Sequence, residues 1–331
     1  MRVHRSFALR VGTCIVVFLT SGFCPLPPGL CFSQDPLGRA ENAVRAAKAP
    51  GAKAAAYVEL GLAYLSEGQE RQAEAQFKAA LELDPSESDA YLELGSIRLN
   101  ERRLPEAEQE FRDAIRVAPG RAPAYAALGE VLAETGRAAE ARPLLEKAIE
   151  LEPRDWHSRY GLATLLADAG EAARASDLLK AVVRLQPDFA PAREQLALGL
   201  LRRGDVDGAS AQADAILSKN PQAAEGHRVM ALVLWKQRQT EASLAECAQA
   251  LNADPDSVAM LALQALELSQ TGSKKDARTV LGRAAKLPPL GPRIANSEVF
   301  CRLILCDAKD IGPVGEFLQK NRWVVQPAPA P

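Results

Sequence analysis

Residues 54–87 read AAAYVELGLAYLSEGQERQAEAQFKAALELDPSE, and this stretch returns, altered but traceable, six more times down the chain. Its proline, Pro85, is followed at steps of 34 by Pro119, Pro153, Pro187, Pro221, Pro255 and Pro289. With 22 prolines in 331 residues, chance does not produce such a ladder, and 34 residues is the length of one helix–turn–helix repeat. Numbering each copy from Ala54, Ser88, Ala122, Trp156, Ala190, Ala224 and Val258 aligns the rest. Position 8 is always small: Gly61, Gly95, Gly129, Ala163, Ala197, Ala231 and Ala265. Position 7 is leucine or methionine until Gln264, and position 20 is alanine except at Ser243. Position 24 is large in five copies, with Ala213 and Cys247 the exceptions.

These positions have a physical reading. Positions 4, 7, 8 and 11 share one face of a first helix, and 20, 24 and 27 share one face of a second. Small residues at 8 and 20 let the two helices approach closely. Gly68, Gly136, Gly170, Gly204 and Gly272 fall between them, where a turn needs backbone angles that glycine tolerates. The proline after each second helix cannot extend it and starts the next unit. A single helix pair cannot bury its own apolar face, so stacking must supply the core.

The pattern resembles the tetratricopeptide repeat. The first copy carries the whole signature, with Tyr57, Leu60, Gly61, Tyr64, Ala73, Phe77, Ala80 and Pro85, while copies six and seven depart from it at Arg238 and Gln264. The resemblance implies an all-α, right-handed superhelical solenoid of about seven helix pairs over 54–291. It also implies that a protein or peptide segment is held in a concave groove.

Outward from the repeats, residues 34–53 fit an N-terminal half-repeat or capping helix, with Ala40, Val44 and Ala47 ahead of Pro50. Residues 292–322, with Phe300, Leu303, Ile304, Phe317 and Leu318, fit degenerate closing helices, and 323–331 a disordered Pro/Ala-rich tail. Residues 1–33 have the proportions of a secretory signal peptide: Arg2, His4, Arg5 and Arg10, then a mostly apolar run of 13 residues from Val11 to Phe23. Cleavage after Ser33 or after Gly22 are both open, and the alternative is an uncleaved membrane anchor. An exported protein of the periplasm or exterior is therefore expected.

Composition narrows the function. The net charge is −2, and basic residues are scattered, so no nucleic-acid partner is expected. Outside the leader the cysteines are Cys247, Cys301 and Cys306, an odd set that makes no disulfide framework and no metal signature. No phosphate-binding glycine loop, paired metal-binding histidines or nucleophile elbow is present. A lone His157 beside Trp156 is a poor catalytic base without an acid or nucleophile to work with. A non-enzymatic protein without cofactor or metal is expected.

Positions 2, 5, 9 and 12 of each first helix form the stripe opposite the core face, which the resemblance makes the groove. It includes His157, Tyr160, Leu198, Leu201, Arg228, Leu232 and Trp235, with Arg202 and Lys236 alongside. The stripe is apolar for a face expected to meet water, which points to a partner. Glu130, Glu134 and Asp168 precede Arg202, Arg228 and Lys236 along it, and Trp235 is the expected anchor. The family's basic clamp for acidic chaperone tails is missing, since Val58 and Leu62, Leu92 and Ser96, and Ala126 and Glu130 occupy its positions. The expected function is a scaffold or adaptor in cell-envelope assembly. A self-associating structural solenoid and an accessory subunit of an envelope enzyme are the alternatives.

Overall fold

In the computed structural model, residues 35–284 and 286–287 are described, and among them there are fifteen helices and no strand. The expected leader, closing helices, tail, Pro289, Cys301 and Cys306 lie outside the described residues. The helices form two compact units divided at Pro153. The first holds α1 (Pro36–Ala46), α2 (Pro50–Ser66), α3 (Glu70–Leu83), α4 (Ser88–Asn100), α5 (Leu104–Val117), α6 (Ala122–Glu134) and α7 (Ala138–Leu151). The second holds α8 (Trp156–Asp168), α9 (Ala172–Leu185), α10 (Ala190–Arg202), α11 (Val206–Lys219), α12 (Ala224–Lys236), α13 (Thr240–Ala253), α14 (Val258–Gln270) and α15 (Lys274–Ala284). From α4 onward the first helices begin 34 residues apart, so the proline ladder is also the ladder of helix starts.

Local chemistry sets these limits. Pro36, Pro50, Pro105, Pro123 and Pro191 occupy the first turns of their helices, where a missing N–H costs nothing. The Asp155 carboxylate accepts from the His157 amide at 2.9 Å and so caps α8. The turn within each pair needs one residue in the left-handed region, and Gly204 supplies it at φ 79°. Arg102 and Arg238 hold the same place at φ 62° and 64°, so the turn survives without glycine in copies two and six.

Close approach explains the small residues. The Phe111 ring lies over Gly95 so tightly that a Cβ there would sit 2.5 Å from its Cε1; Phe77 covers Gly61 in the same way. In the third copy Leu145 does this over Gly129, 2.8 Å from where a Cβ would be. Ala73, Ala107 and Ala141 on the facing second helices are fully buried. In the first copies the contact at position 11 is shared: Tyr64 is replaced in copy two by Arg98, buried and bonded to Glu74 and, at 2.9 Å, to Glu101. That guanidinium, with Lys78 adding to it, holds the Glu74 carboxyl down at about 2. The expected all-α array of helix pairs is thus the observed fold, and none of the described helices is long and apolar enough to cross a membrane.

Adding a methyl at Gly95 should overpack the contact and lower stability by about 1–3 kcal/mol. Gly282→Ala in α15, where an added Cβ meets nothing within 4 Å, should instead raise it by up to about 1 kcal/mol. Urea midpoints of the two variants check the pair; equal shifts of one sign would contradict the packing argument.

Candidate functional site

The second unit carries all nine residues expected at the groove, and it places them in four environments. Leu198, Leu201, Leu232 and Trp235 are only 2%, 1%, 1% and 7% exposed. The expectation that they face water is therefore corrected. The cause lies between repeats: α10 and α12, the first helices of successive copies, pack directly on one another. Their aliphatic stripe positions join one continuous cluster with the helices behind them. Trp235 is a wall element, not a free anchor, with the Lys236 ammonium 5.7 Å from its ring centre.

Arg228 is corrected in the same sense. Its Nε donates to Glu194 Oε1 at 2.7 Å and its Nη2 to Oε2 at 2.9 Å. Glu225 and Asp254 stand 3.9 and 3.7 Å away, so its charge is already opposed by three acids. Burial pushes the Glu194 carboxyl above its ordinary range, and the Arg228 charge works against that push. Glu194 and Arg228 both occupy position 5, one repeat apart; the side chains meet because the first helices do.

His157 and Tyr160 form the third environment, on α8. Trp156 and His157 stack at 3.5 Å, and Phe189 meets Trp156 at 4.7 Å and the edge of Tyr160 at 5.0 Å. The Tyr160 hydroxyl accepts from Gln195 Nε2 at 3.2 Å, and the same amide donates to Thr164 Oγ1 at 3.2 Å. Burial raises the Tyr160 hydroxyl well above its ordinary range, with Glu194 and Glu225 adding to it. Burial lowers the His157 imidazole, and Asp155, 3.8 Å off and committed to the helix cap, opposes this weakly. No proton relay is assembled there. Among the described residues no group of three His, Cys, Asp or Glu side chains could hold a metal ion.

Position 10 of the first helix was not singled out by sequence reasoning, yet it shapes the face. It reads Ala63, Ile97, Val131, Leu165, Gly199, Val233 and Glu267. Five copies place an apolar side chain there. Glu267 instead buries a carboxylate with both oxygens unbonded. Burial raises that carboxyl to about 7, and the neighbouring Ser243 hydroxyl, which donates to the Ala231 carbonyl at 2.9 Å, draws it back only in part. Gly199 places nothing, and a small recess opens between α8, α9 and α10. Leu198 and Arg202 line it; of the nine expected residues these are the two it brings together. The exception to the column was visible in the sequence, but only once the column itself is compared across copies.

Two models of the tetratricopeptide repeat match the chain, one over residues 58–124 and 195–258 and the other over 132–198, together more than half its length. No curated protein matches it. Among solved structures it is similar to PilF of Pseudomonas aeruginosa, at 23% identity and TM-score 0.58, covering 69% of this chain and all of that one. It is also similar to PilW, described as a type IV pilus biogenesis factor, at 23% identity and TM-score 0.54, covering 61% and 94%. A tetratricopeptide repeat protein of Parabacteroides merdae aligns at 15% identity and TM-score 0.57, over 76% and 98%. At these identities the likenesses speak for the fold alone.

Arg228→Met should cost about 3–5 kcal/mol, because it leaves Glu194 buried and unpaired. Adding Glu194→Leu should restore most of that loss in a urea titration; a double variant no better than the single would contradict the pairing. Glu267 gives a pH test. Its folded value of about 7 exceeds the ordinary 4.5, so between these limits the folded chain keeps a proton that the unfolded chain has released. Stability should therefore fall as pH rises from 4.5 to 7 and stay low above it. Glu267→Gln should flatten this slope in urea midpoints taken across the range.

Proposed function

The chain belongs to the tetratricopeptide repeat family, and from that premise we propose that it is a non-catalytic scaffold holding an extended segment of a partner protein. The face used is that of α8 and α10. The observation that carries this reading is the contrast within the second unit. Leu201, Leu232 and Trp235 are sealed into the cluster, whereas α8 and the near edge of α10 keep Thr164, Gln195, Asp168 and Arg202 at least partly open around a small apolar recess, with His157 exposed at the start of α8. A recess with a polar rim suits a peptide, which needs apolar contact for affinity and hydrogen-bonding groups for orientation. Trp235 and Leu232 then support the face from within.

The same reading places the scaffold in cell-envelope assembly, exported to the periplasm or beyond. The support is the basic start and the 13-residue apolar run Val11–Phe23. A non-catalytic role is supported by how the polar groups are spent: Asp155 caps a helix, Glu194 and Arg228 neutralise one another, and His157 stacks on Trp156. Arrays of this kind serve many pathways, so the partner is identified by the face and not by the fold.

A photo-crosslinking amino acid at His157 or Arg202 of the full chain, in intact cells, tests the reading. It should trap a heterologous protein, while the same group at Leu185, exposed on the second helix α9, should not. Equal yields from both faces, or crosslinks only to a second copy of this chain, would overturn it.

A further inference from the structure

We propose that the chain's own C-terminal segment, residues 297–318, lies along the groove side of α10, α12 and α14 as an internal ligand. This goes beyond the scaffold reading, which concerns the α8 face. The observation is a change in burial along one stripe. Positions 9 and 12 carry leucine in both units, so like is compared with like. In the first unit Leu62 is 39% exposed, and Leu65 and Leu99 are partly open. In the second, Leu198, Leu201, Leu232 and Leu266 are all sealed. Packing of α10 on α12 closes their facing flanks but not their groove side: α4 and α6 also meet, yet leave Leu99 and Ala133 partly open.

The last first helix makes the case most plainly. From Val258 to Glu267 every residue of α14 except Gln264 is buried, and the stripe residues Ala259, Ala262 and Leu266 are each 1% exposed. Among the described residues, the helices that pack extensively on α14 are α13 and α15, both second helices behind the stripe. A helix buried all round needs neighbours all round, so another element covers its groove side. Sealing is complete at α14, holds through α12 and α10, and ends at α8, where Thr164 and Ala167 are partly open. The cover therefore enters from the C-terminal side, where residues 288–331 follow α15. Residues 1–34 join instead at α1, in the unit whose Leu62 is open. Within the C-terminal stretch, Phe300, Leu303 and Ile304 have the i, i+3, i+4 spacing by which an amphipathic helix sits in an apolar groove, and Phe317 and Leu318 extend the apolar content. Helices pack about 8–10 Å apart, so α10 to α14 spans about 20 Å. About twenty residues reach about 30 Å even when wound as a helix. An eighth helix pair stacked beyond α15 would cover the outer side of α14, but not Trp235 one copy earlier or Leu201 two copies earlier.

The test uses the full chain with photo-leucine in place of leucine, crosslinked peptides being identified by mass spectrometry. Crosslinks should join residues 297–318 to Leu198, Leu201 or Leu232. In a mixture of isotopically light and heavy chains each should fall within one chain. Light–heavy crosslinks would mean a second copy, and crosslinks from α10 and α12 to residues 1–34 would mean the N-terminal stretch. Crosslinks from residues 297–318 to α14 and α15 alone would mean an eighth helix pair. Any of these in place of the expected set, or no crosslink to the segment, would overturn the proposal. A second measurement leaves Trp235 as the sole indole through Trp156→Phe and Trp323→Phe. Adding Leu303→Glu and Ile304→Glu should raise acrylamide quenching of Trp235 severalfold while helical circular dichroism is kept; unchanged quenching would contradict the proposal. Should that variant fail to fold, the crosslinks, which need no substitution in the segment, decide the matter. Trapping of a heterologous protein from His157 is independent of either result, so failure of this inference and failure of the scaffold reading are separable.

Discussion

In the first three copies one contact sets each helix pair: the side chain at position 24 lying over a glycine at position 8. Where Phe111 covers Gly95 there is no room for a methyl group. That closeness sets the distance between the two helices of a pair and, with a 34-residue step, sets where the next pair begins. Because each pair can bury its apolar face only against its neighbours, stacking within each unit supplies the core. Variation elsewhere is tolerated as long as this spacing holds, which is why Arg238 can stand at a turn that favours glycine and Gln264 at a leucine position.

Much of this is legible in the sequence because it is periodic within a repeat. The prolines, the small residues at position 8 and the five turn glycines mark the helix limits, since each answers to chemistry within a few residues. What lies between repeats is less legible. The burial of Leu201 and Leu232 depends on how near α10 and α12 come, and no periodicity within either helix specifies that distance. The pairing of Glu194 with Arg228 had a signal that could have been used: opposite charges at one position in successive copies. Gly199 had one too, as the lone glycine of the position-10 column. Both become visible only when the repeats are read across, position by position, instead of along the chain.

The exceptions in that column show how one architecture acquires local character. Val233 at position 10 is core, Glu267 at the same position is a buried acid held near neutrality, and Gly199 leaves a recess. The helices around all three keep the same register, so a change in side-chain size becomes a change in surface shape and not in fold.

Within the second unit Val233 fills position 10 with a buried side chain and Gly199 leaves it empty, so α10 near Gly199 is a looser edge than α12. Amide hydrogen exchange along the intact chain tests this directly. Amides of α12 around Val233 should be among the slowest in the second unit, and those of α10 around Gly199 should exchange measurably faster through local opening. Equal protection at the two sites, or slower exchange at Gly199, would contradict the account.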